Sequence, residues 1–202
     1  MIGILDYGVG NVRSILNVYN SLDIKAEIIH NPDRLAFCSH IILPGVGSFD
    51  NAISLLEVKG FKNELYEQVI LKKKPILGIC VGMQILATKS EEGIREGLNY
   101  IEGQIVKLKT NKPMPHMGWN SIKIKKRIKI LDGINELDKF YFLHSFYYAK
   151  SSDNNFIIAT SEYENEITSI IGFNNIIGIQ FHPEKSHKQG TIILENFYKK
   201  YQ

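Results

Sequence analysis

Two glycines bracket a cysteine in PILGICVGMQ, as Gly78, Cys80 and Gly82. An apolar run that enters Gly-X-Cys-X-Gly and leaves as a helix is the cysteine form of a nucleophile elbow, a turn sharp enough to strain its central residue. The flanking glycines remove side chains that would collide there. Such a turn lifts the sulfur clear of the sheet edge. It also sets the sulfur over the start of the helix expected in MQILATK, whose positive end favours thiolate over thiol. A free cysteine is otherwise most often a small buried hydrophobe, and that is the reading for Cys38 in LAFCSH.

An attacking thiolate needs a base, and the base needs an orienting group. Of the six histidines, His182 in IIGIQFHPEKS follows a strand-like run that Pro183 ends. Glu184, two positions on, projects to the same side of an extended chain. It can therefore fix the tautomer of His182 and stabilise its imidazolium. Cys80, His182 and Glu184 are thus a candidate nucleophile, base and orienter for acyl transfer. The oxyanion formed in such chemistry needs N–H donors. LPGVGSF follows another strand candidate, and Gly45 and Gly47 permit a backbone twist that aims the Val46 N–H at a ligand, beside the N–H of Val81.

The elements that must carry these residues are legible as alternation. IGILDY, AEIIH, HIILPG and PILGIC are short apolar runs of strand type, separated by segments of helical period, which is the pattern of βα units around a parallel sheet. NVRSILNVYNSL spaces Val12, Ile15, Leu16, Tyr19 and Leu22 along one helical face. The stretch from Ser48 to Lys73 reads as helix broken near Gly60. Beyond residue 100 the texture becomes β-rich in GQIVKLK, NSIKIKK, KFYFLHSFYY, NFIIATSEY, EITSIIGF and IIGIQF, closed by a helix in TIILENFYKKYQ. The expectation is a single domain over residues 1–202: a three-layer α/β fold with a central, mostly parallel sheet and added antiparallel strands.

With 202 residues, 44% of them hydrophobic and a net charge of +3, the chain can fill one core and offers no basic footprint for nucleic acid. Two cysteines form neither a disulfide framework nor a CxxC metal spacing, which points to a reducing compartment. MIGILDYGVGN has no basic leader region, and its apolar run is too short to span a membrane. A cytoplasmic protein is expected. DYGVGN lacks the third glycine and the later acidic residue of a dinucleotide fingerprint, so its glycines are assigned to a tight strand-to-helix turn. SIKIKKRIKI reads as a strand with a solvated cationic face.

Together these residues resemble the class I (triad) glutamine amidotransferase family, and within it the glutaminase subunits of imidazole glycerol phosphate synthase. The resemblance runs from GILDYGVGN through LPGVGSF, GICVGMQIL, SEEG, PHMGWN, FYFLHS and QFHPEKS to ILENF. It implies a flavodoxin-like glutaminase domain that hydrolyses glutamine to glutamate and ammonia through a thioester on Cys80. It implies no metal or organic cofactor. It also implies a (β/α)8 synthase subunit as heterodimer partner, which receives the ammonia to make imidazole glycerol phosphate and AICAR in histidine biosynthesis. By the same resemblance Gln84, Glu92 and Ser145 contact glutamine, and Trp119, Asn120 and Tyr141 face the partner. The family commonly has tyrosine where this chain has Phe146, a departure that removes a hydroxyl unless Tyr147 or Tyr148 supplies one.

Two other readings stay open. Related glutaminases supply ammonia for amidino groups on acetamido sugars of surface polysaccharides, and His187 after PEKS together with SFDNA resembles that branch. A non-catalytic homologue that only binds a barrel is the reading from a different class, and the intact Cys80, His182 and Glu184 speak against it. The glutaminase of vitamin B6 synthesis is disfavoured because PGVGS stands where that family has PGGES.

Overall fold

The computed structural model describes residues 1–149 and 155–201. Near-continuous Ile and Leu runs become strands buried on both faces, as parallel strands covered by helices must be. These are β1 (Ile2–Leu5), β3 (His40–Gly45) and β4 (Ile76–Cys80), while β2 (Ala26–Ile29), at the sheet edge, is only partly buried. Strands β5 (Lys89–Ser90), β6 (Gln104–Lys107), β7 (His116–Ser121), β8 (Lys123–Ile124), β9 (Lys139–His144) and β10 (Phe146–Tyr148) follow. Strands β11 (Ile157–Tyr163), β12 (Asn165–Phe173) and β13 (Ile176–Ile179) complete the set.

The main sheet has the order β2-β1-β3-β4-β13-β12-β11-β8. Its first five strands are parallel, in the flavodoxin-like 2-1-3-4-5 succession with β13 as the fifth. The remaining three continue it antiparallel. A β10-β6-β5 sheet and a β7-β9 ribbon stand apart from it.

Helix α1 (Val12–Ser21) buries Ile15 and Tyr19, and the Tyr19 hydroxyl donates to the Leu194 carbonyl at 3.2 Å. That carbonyl belongs to the closing helix over His187–Lys200. Helix α2 (Phe49–Val58) gives way at Gly60, whose φ of +75° starts α3 (Phe61–Leu65). The chain then continues as a π-helical turn over Tyr66–Leu71. The break expected near Gly60 is therefore present. One buried cluster links residues from Ile2 to Phe197. Among the described residues, no helix is long and apolar enough to cross a membrane.

Four segments differ from the sequence expectation, each for a reason of backbone pairing. The helix after Cys80, α4, spans only Val81–Gln84. The carbonyls that would extend it are taken from outside: Ile85 by the Leu98 N–H, Leu86 by those of Tyr100 and Ile101, and Ala87 by that of Asn99. KFYFLHSFYY is two strands, because β9 pairs with β7 while β10 pairs with β6, and the chain changes partner at Ser145. In SIKIKKRIKI only Lys123–Ile124 join the sheet; the next two N–H groups both reach the Ile158 carbonyl, and Arg127 turns to the Ile134 carbonyl. In PHMGWN, Gly118 and Asn120 are residues of loop type, yet the segment supplies β7 because His116–Ser121 pair with β9. The helix over His187–Lys200 is α5.

Candidate active site

Strands β3, β4 and β13 are neighbours, and their register aligns Gly45 with Cys80 and Ile79 with Ile179. The loop after β3, the elbow after β4 and the His-Pro-Glu turn after β13 therefore emerge side by side. This is the carboxyl edge of the sheet, where open α/β folds place their ligands.

Cys80 has φ +55° and ψ −114°. A side chain seldom adopts that conformation, and its neighbourhood enforces it. A Cβ on Gly82 would lie 1.9 Å from the Leu43 carbonyl oxygen, and one on Gly78 would lie 2.6 Å from the Gly82 oxygen. One on Gly45 would lie 2.5 Å from the Gly82 nitrogen. The glycines are thus required because the backbones of β3 and the elbow touch. The N-terminal DYGVGN turn braces the same region. The buried Tyr7 hydroxyl donates to the Pro44 carbonyl at 2.7 Å, and Gly10, at φ +112°, packs where a Cβ would meet Pro44 at 2.9 Å.

The Cys80 sulfur lies 3.8 Å from the Leu143 carbonyl oxygen and 3.9 Å from the Gln180 amide nitrogen. His182 Nδ1 is 2.9 Å from Glu184 Oε1, with the two side chains 4% and 1% exposed. Burial pulls the His182 pKa down, but its hydrogen bonds and charge interactions with Cys80 and Glu184 outweigh this and raise it to about 10. The pairing therefore favours the imidazolium form of the ring. With Nδ1 held by Glu184, the remaining ring nitrogen serves the sulfur.

A cavity of about 260 Å³ opens on this group. Val46, Gly47 and Val81 line it on the oxyanion side, with Gly47 at φ +91°. Gln84, Glu92 and Ser145 line it on the side expected to hold substrate. Gln84 is pinned, donating to the Phe146 carbonyl at 2.9 Å and to Gln180 Oε1 at 3.2 Å. One Glu92 oxygen accepts from the Phe49 N–H at the start of α2, at 2.8 Å. The structure thus brings together the expected catalytic, oxyanion and substrate groups, with Gly45 paired directly behind the sulfur.

Trp119 and Tyr141 face each other across the β7-β9 ribbon, Trp119 being 45% exposed. Asn120 lies on the opposite face of β7, where its amide bonds to His116 and the Glu162 carbonyl. Neither tyrosine beside Phe146 replaces the missing hydroxyl in the cavity. The Tyr148 hydroxyl donates to the Glu102 carbonyl, and Tyr147 lines a separate depression with Val106 and Leu108. Cys38 is buried beside Gly3, as expected of a core thiol. Among the described residues, no cluster of three or more His, Cys, Asp or Glu side chains could hold a metal.

Pro115, Leu143 and His144 also line the cavity, and nothing in their local sequence marks them for it. His144 gains its place only through the pairing of β9 with β7, a contact between residues 28 positions apart.

This chain belongs to a known family. Residues 3–201 match the family described as Glutamine amidotransferase class-I, so the chain is a class I glutamine amidotransferase. Within it, the chain is 46% identical to "Imidazole glycerol phosphate synthase subunit HisH 2" of Methanococcus maripaludis, over 98% of this chain and 99% of that one. It is 43% identical to "Imidazole glycerol phosphate synthase subunit HisH" of Leptospira interrogans, over 98% of each. Solved structures share the fold at low identity. "Structure of PurLQS from Thermotoga maritima" superposes with TM-score 0.76 at 17% identity, over 100% of this chain and 98% of that one. "Crystal structure of glutamine amidotransferase" gives 0.75 at 16%, over 98% of each.

Proposed function

We propose that this chain is the glutaminase subunit of an imidazole glycerol phosphate synthase. The observation that carries the reading is the single cavity in which Cys80, His182, the Val46–Gly47 loop, Gln84 and Glu92 converge. The relatives named above support the choice of synthase.

Glutamine enters with its side-chain amide against Cys80 and its ammonium toward the Glu92 carboxylate. Sγ attacks the amide carbon, and the N–H groups of Val46 and Val81 stabilise the oxyanion. His182 delivers a proton to the departing nitrogen, so ammonia leaves and a glutamyl thioester remains. Water, deprotonated by His182, then cleaves the thioester to glutamate and frees the thiolate. Glu184 keeps the ring oriented throughout. Ammonia passes to a (β/α)8 synthase subunit docked on the face around Trp119 and Tyr141. Free Cys38 and Cys80 suit a reducing cytoplasm.

One observation favours a second reading. His187, which resembles the sugar-amidinating branch at this position, stacks flat on Trp119 at 4.9 Å and 12°. It therefore helps shape the face a synthase would meet, and a different synthase would meet it there.

The test is glutamate release from glutamine by the chain alone and with an imidazole glycerol phosphate synthase barrel, with and without the barrel's nucleotide ligand. Strong stimulation by the liganded barrel is expected, and Cys80→Ala should fall to background while still binding the barrel. Turnover by that variant above background would remove Cys80 as nucleophile. Inactivity with this barrel, despite an alkylatable Cys80, would move the assignment to the sugar-amidinating reading.

A further inference from the structure

From the cavity wall, where His144 and Phe146 line the site, a chain of hydrogen bonds runs inward that the proposed chemistry does not use. The Phe146 carbonyl accepts from His144 Nδ1 at 2.9 Å. His144 Nε2 is 3.0 Å from His116 Nδ1, and His116 Nε2 is 3.2 Å from Asn120 Nδ2. Asn120 also donates to the Glu162 carbonyl at 2.9 Å and accepts from the Ser121 N–H at 2.9 Å.

Elementary valence gives the chain one direction. A carbonyl only accepts, so His144 Nδ1 must carry the proton. A neutral ring then offers Nε2 as acceptor, which requires the proton of His116 on Nδ1 and leaves its Nε2 to accept from the Asn120 amide. The orientation of that amide is set independently, because its oxygen is held by the Ser121 N–H. Every donor meets one acceptor.

The surroundings keep both rings uncharged and still. Burial pushes the pKa of His144 down to about 3 and that of His116 to about 4, with Lys112 facing His116 and the His182 cation facing His144. His116 is clamped between Phe142 at 4.8 Å and Tyr163 at 4.2 Å, both stacked. The chain ends at the Phe146 carbonyl, which also anchors Gln84. Ser145 and Phe146 line the cavity with the thiol, at the point where the chain leaves β9 for β10; the Ser145 carbonyl accepts from the Leu108 N–H at 2.9 Å and Phe146 pairs with Lys107, which ties this wall to the β6 side. The Phe146 carbonyl itself accepts from the His144 ring and the Gln84 amide, so its position on the β7 side is set by side chains.

We propose that His144 and His116 are positioning residues for the glutamine site: the paired rings fix the Phe146 carbonyl and with it the Ser145–Phe146 wall, tying that wall to β7. This deepens the glutaminase reading and rests on it. The rings touch neither the reacting atoms nor the leaving group. Their effect is expected on substrate recognition more than on attack.

Alkylation of Cys80 by a glutamine-shaped chloroketone, in which CH2Cl replaces the amide NH2, separates the two. The sulfur–carbon bond forms as chloride leaves, and the reaction yields a half-saturating concentration KI and a limiting rate. It requires no synthase partner. Iodoacetamide, which carries no amino-acid end, serves as control. His144→Gln places an amide near Nε2 and loses the donor to Phe146, so its KI should rise about tenfold, equivalent to about 1.4 kcal/mol, with a smaller change in limiting rate. His144→Asn keeps a donor at the Nδ1 position and should restore KI to within about threefold of wild type. His116→Phe preserves the aromatic clamp but frees the tautomer of His144, and should raise KI in the same direction.

Wild-type KI in both His144→Gln and His116→Phe would overturn the proposal. So would equal loss of KI, limiting rate and iodoacetamide reactivity in all three variants including His144→Asn, which would mean general support of the fold. Failure of the parent reading has a different signature: wild-type Cys80 alkylated by iodoacetamide but not saturably by the chloroketone.

Discussion

The side chains that do chemistry carry two linked expectations. His182 titrates at about 10 in the folded chain, against about 6.5 for an unperturbed ring. The folded state thus holds an extra proton between these values. The stability this pairing contributes is fully present below about pH 6.5 and is lost as pH rises through about 10. Since Cys80 is the first of the two partners raising it, Cys80→Ala should lower the His182 titration, as read from the imidazole NMR resonances against pH. An unchanged titration would separate the thiol from the ring. In the proposed mechanism the same imidazolium supplies the proton for departing ammonia, so glutaminase activity is expected to decline as pH rises through about 10. Glu184→Gln keeps the shape of the orienter and removes its charge, and kcat/KM should fall about a hundredfold or more, with the fold intact by circular dichroism. A loss no larger than that of a surface substitution would remove Glu184 from the site. Cys80, His182 and Glu184 were legible in the sequence because they lie at local turns, although Glu184 reaches the His182 ring from a 3-10 turn over Pro183–Lys185 and not from the extended chain expected. His144 and Pro115 were not, because only pairing between distant strands brings them to the cavity.

Secondary-structure elements hold these groups by backbone contact more than by side-chain packing. The elbow works because β3 and α4 approach until no Cβ fits between them, and Gly82 is the tightest point, 1.9 Å from the Leu43 oxygen for an added Cβ. Gly82→Ala must therefore push β3 from the elbow. The expected loss of stability lies at or above the upper end of the roughly 1–3 kcal/mol seen for overpacked cores, measured as a shift in urea midpoint, and reactivity of Cys80 should drop with it. A variant of wild-type stability would mean that the loop after β3 yields freely and that the strained geometry of Cys80 is not imposed from there. The parallel strands were legible because runs such as HIILPG and IIGI are apolar throughout, as doubly covered strands are. The helix after Cys80 is shorter than its sequence implies for a complementary reason. MQILATK has the composition of a helix, but residues 98–101 return to claim its carbonyls, and propensity has no account of a long-range competitor.

At the scale of the whole molecule, the single tryptophan offers a direct reading of the face proposed to meet a synthase. Trp119 is 45% exposed and Met117 64% on the outer side of β7, His187 stacks against the indole, and the Lys185 ammonium sits 5.6 Å from the Tyr141 ring centre. An exposed aromatic and a thioether beside cationic and stacking groups resemble the centre of an interface, where truncation of one large aromatic often costs about 2 kcal/mol or more in binding. The same ribbon carries His116 and Asn120 on its inner side, so whatever docks outside lies one strand's thickness from the groups that reach the cavity wall. The sequence placed Trp119 here only through family resemblance, since nothing in PHMGWN by itself distinguishes a docking tryptophan from a packed one. Mixing the chain with the (β/α)8 subunit should shift the Trp119 emission to the blue as water leaves the indole, provided a tryptophan-free barrel is used, and Trp119→Ala should weaken association by about thirtyfold or more, the same 2 kcal/mol. If sedimentation shows a complex while the emission stays unchanged, the barrel docks elsewhere, and ammonia would have to leave the cavity by a route that does not pass the β7-β9 ribbon.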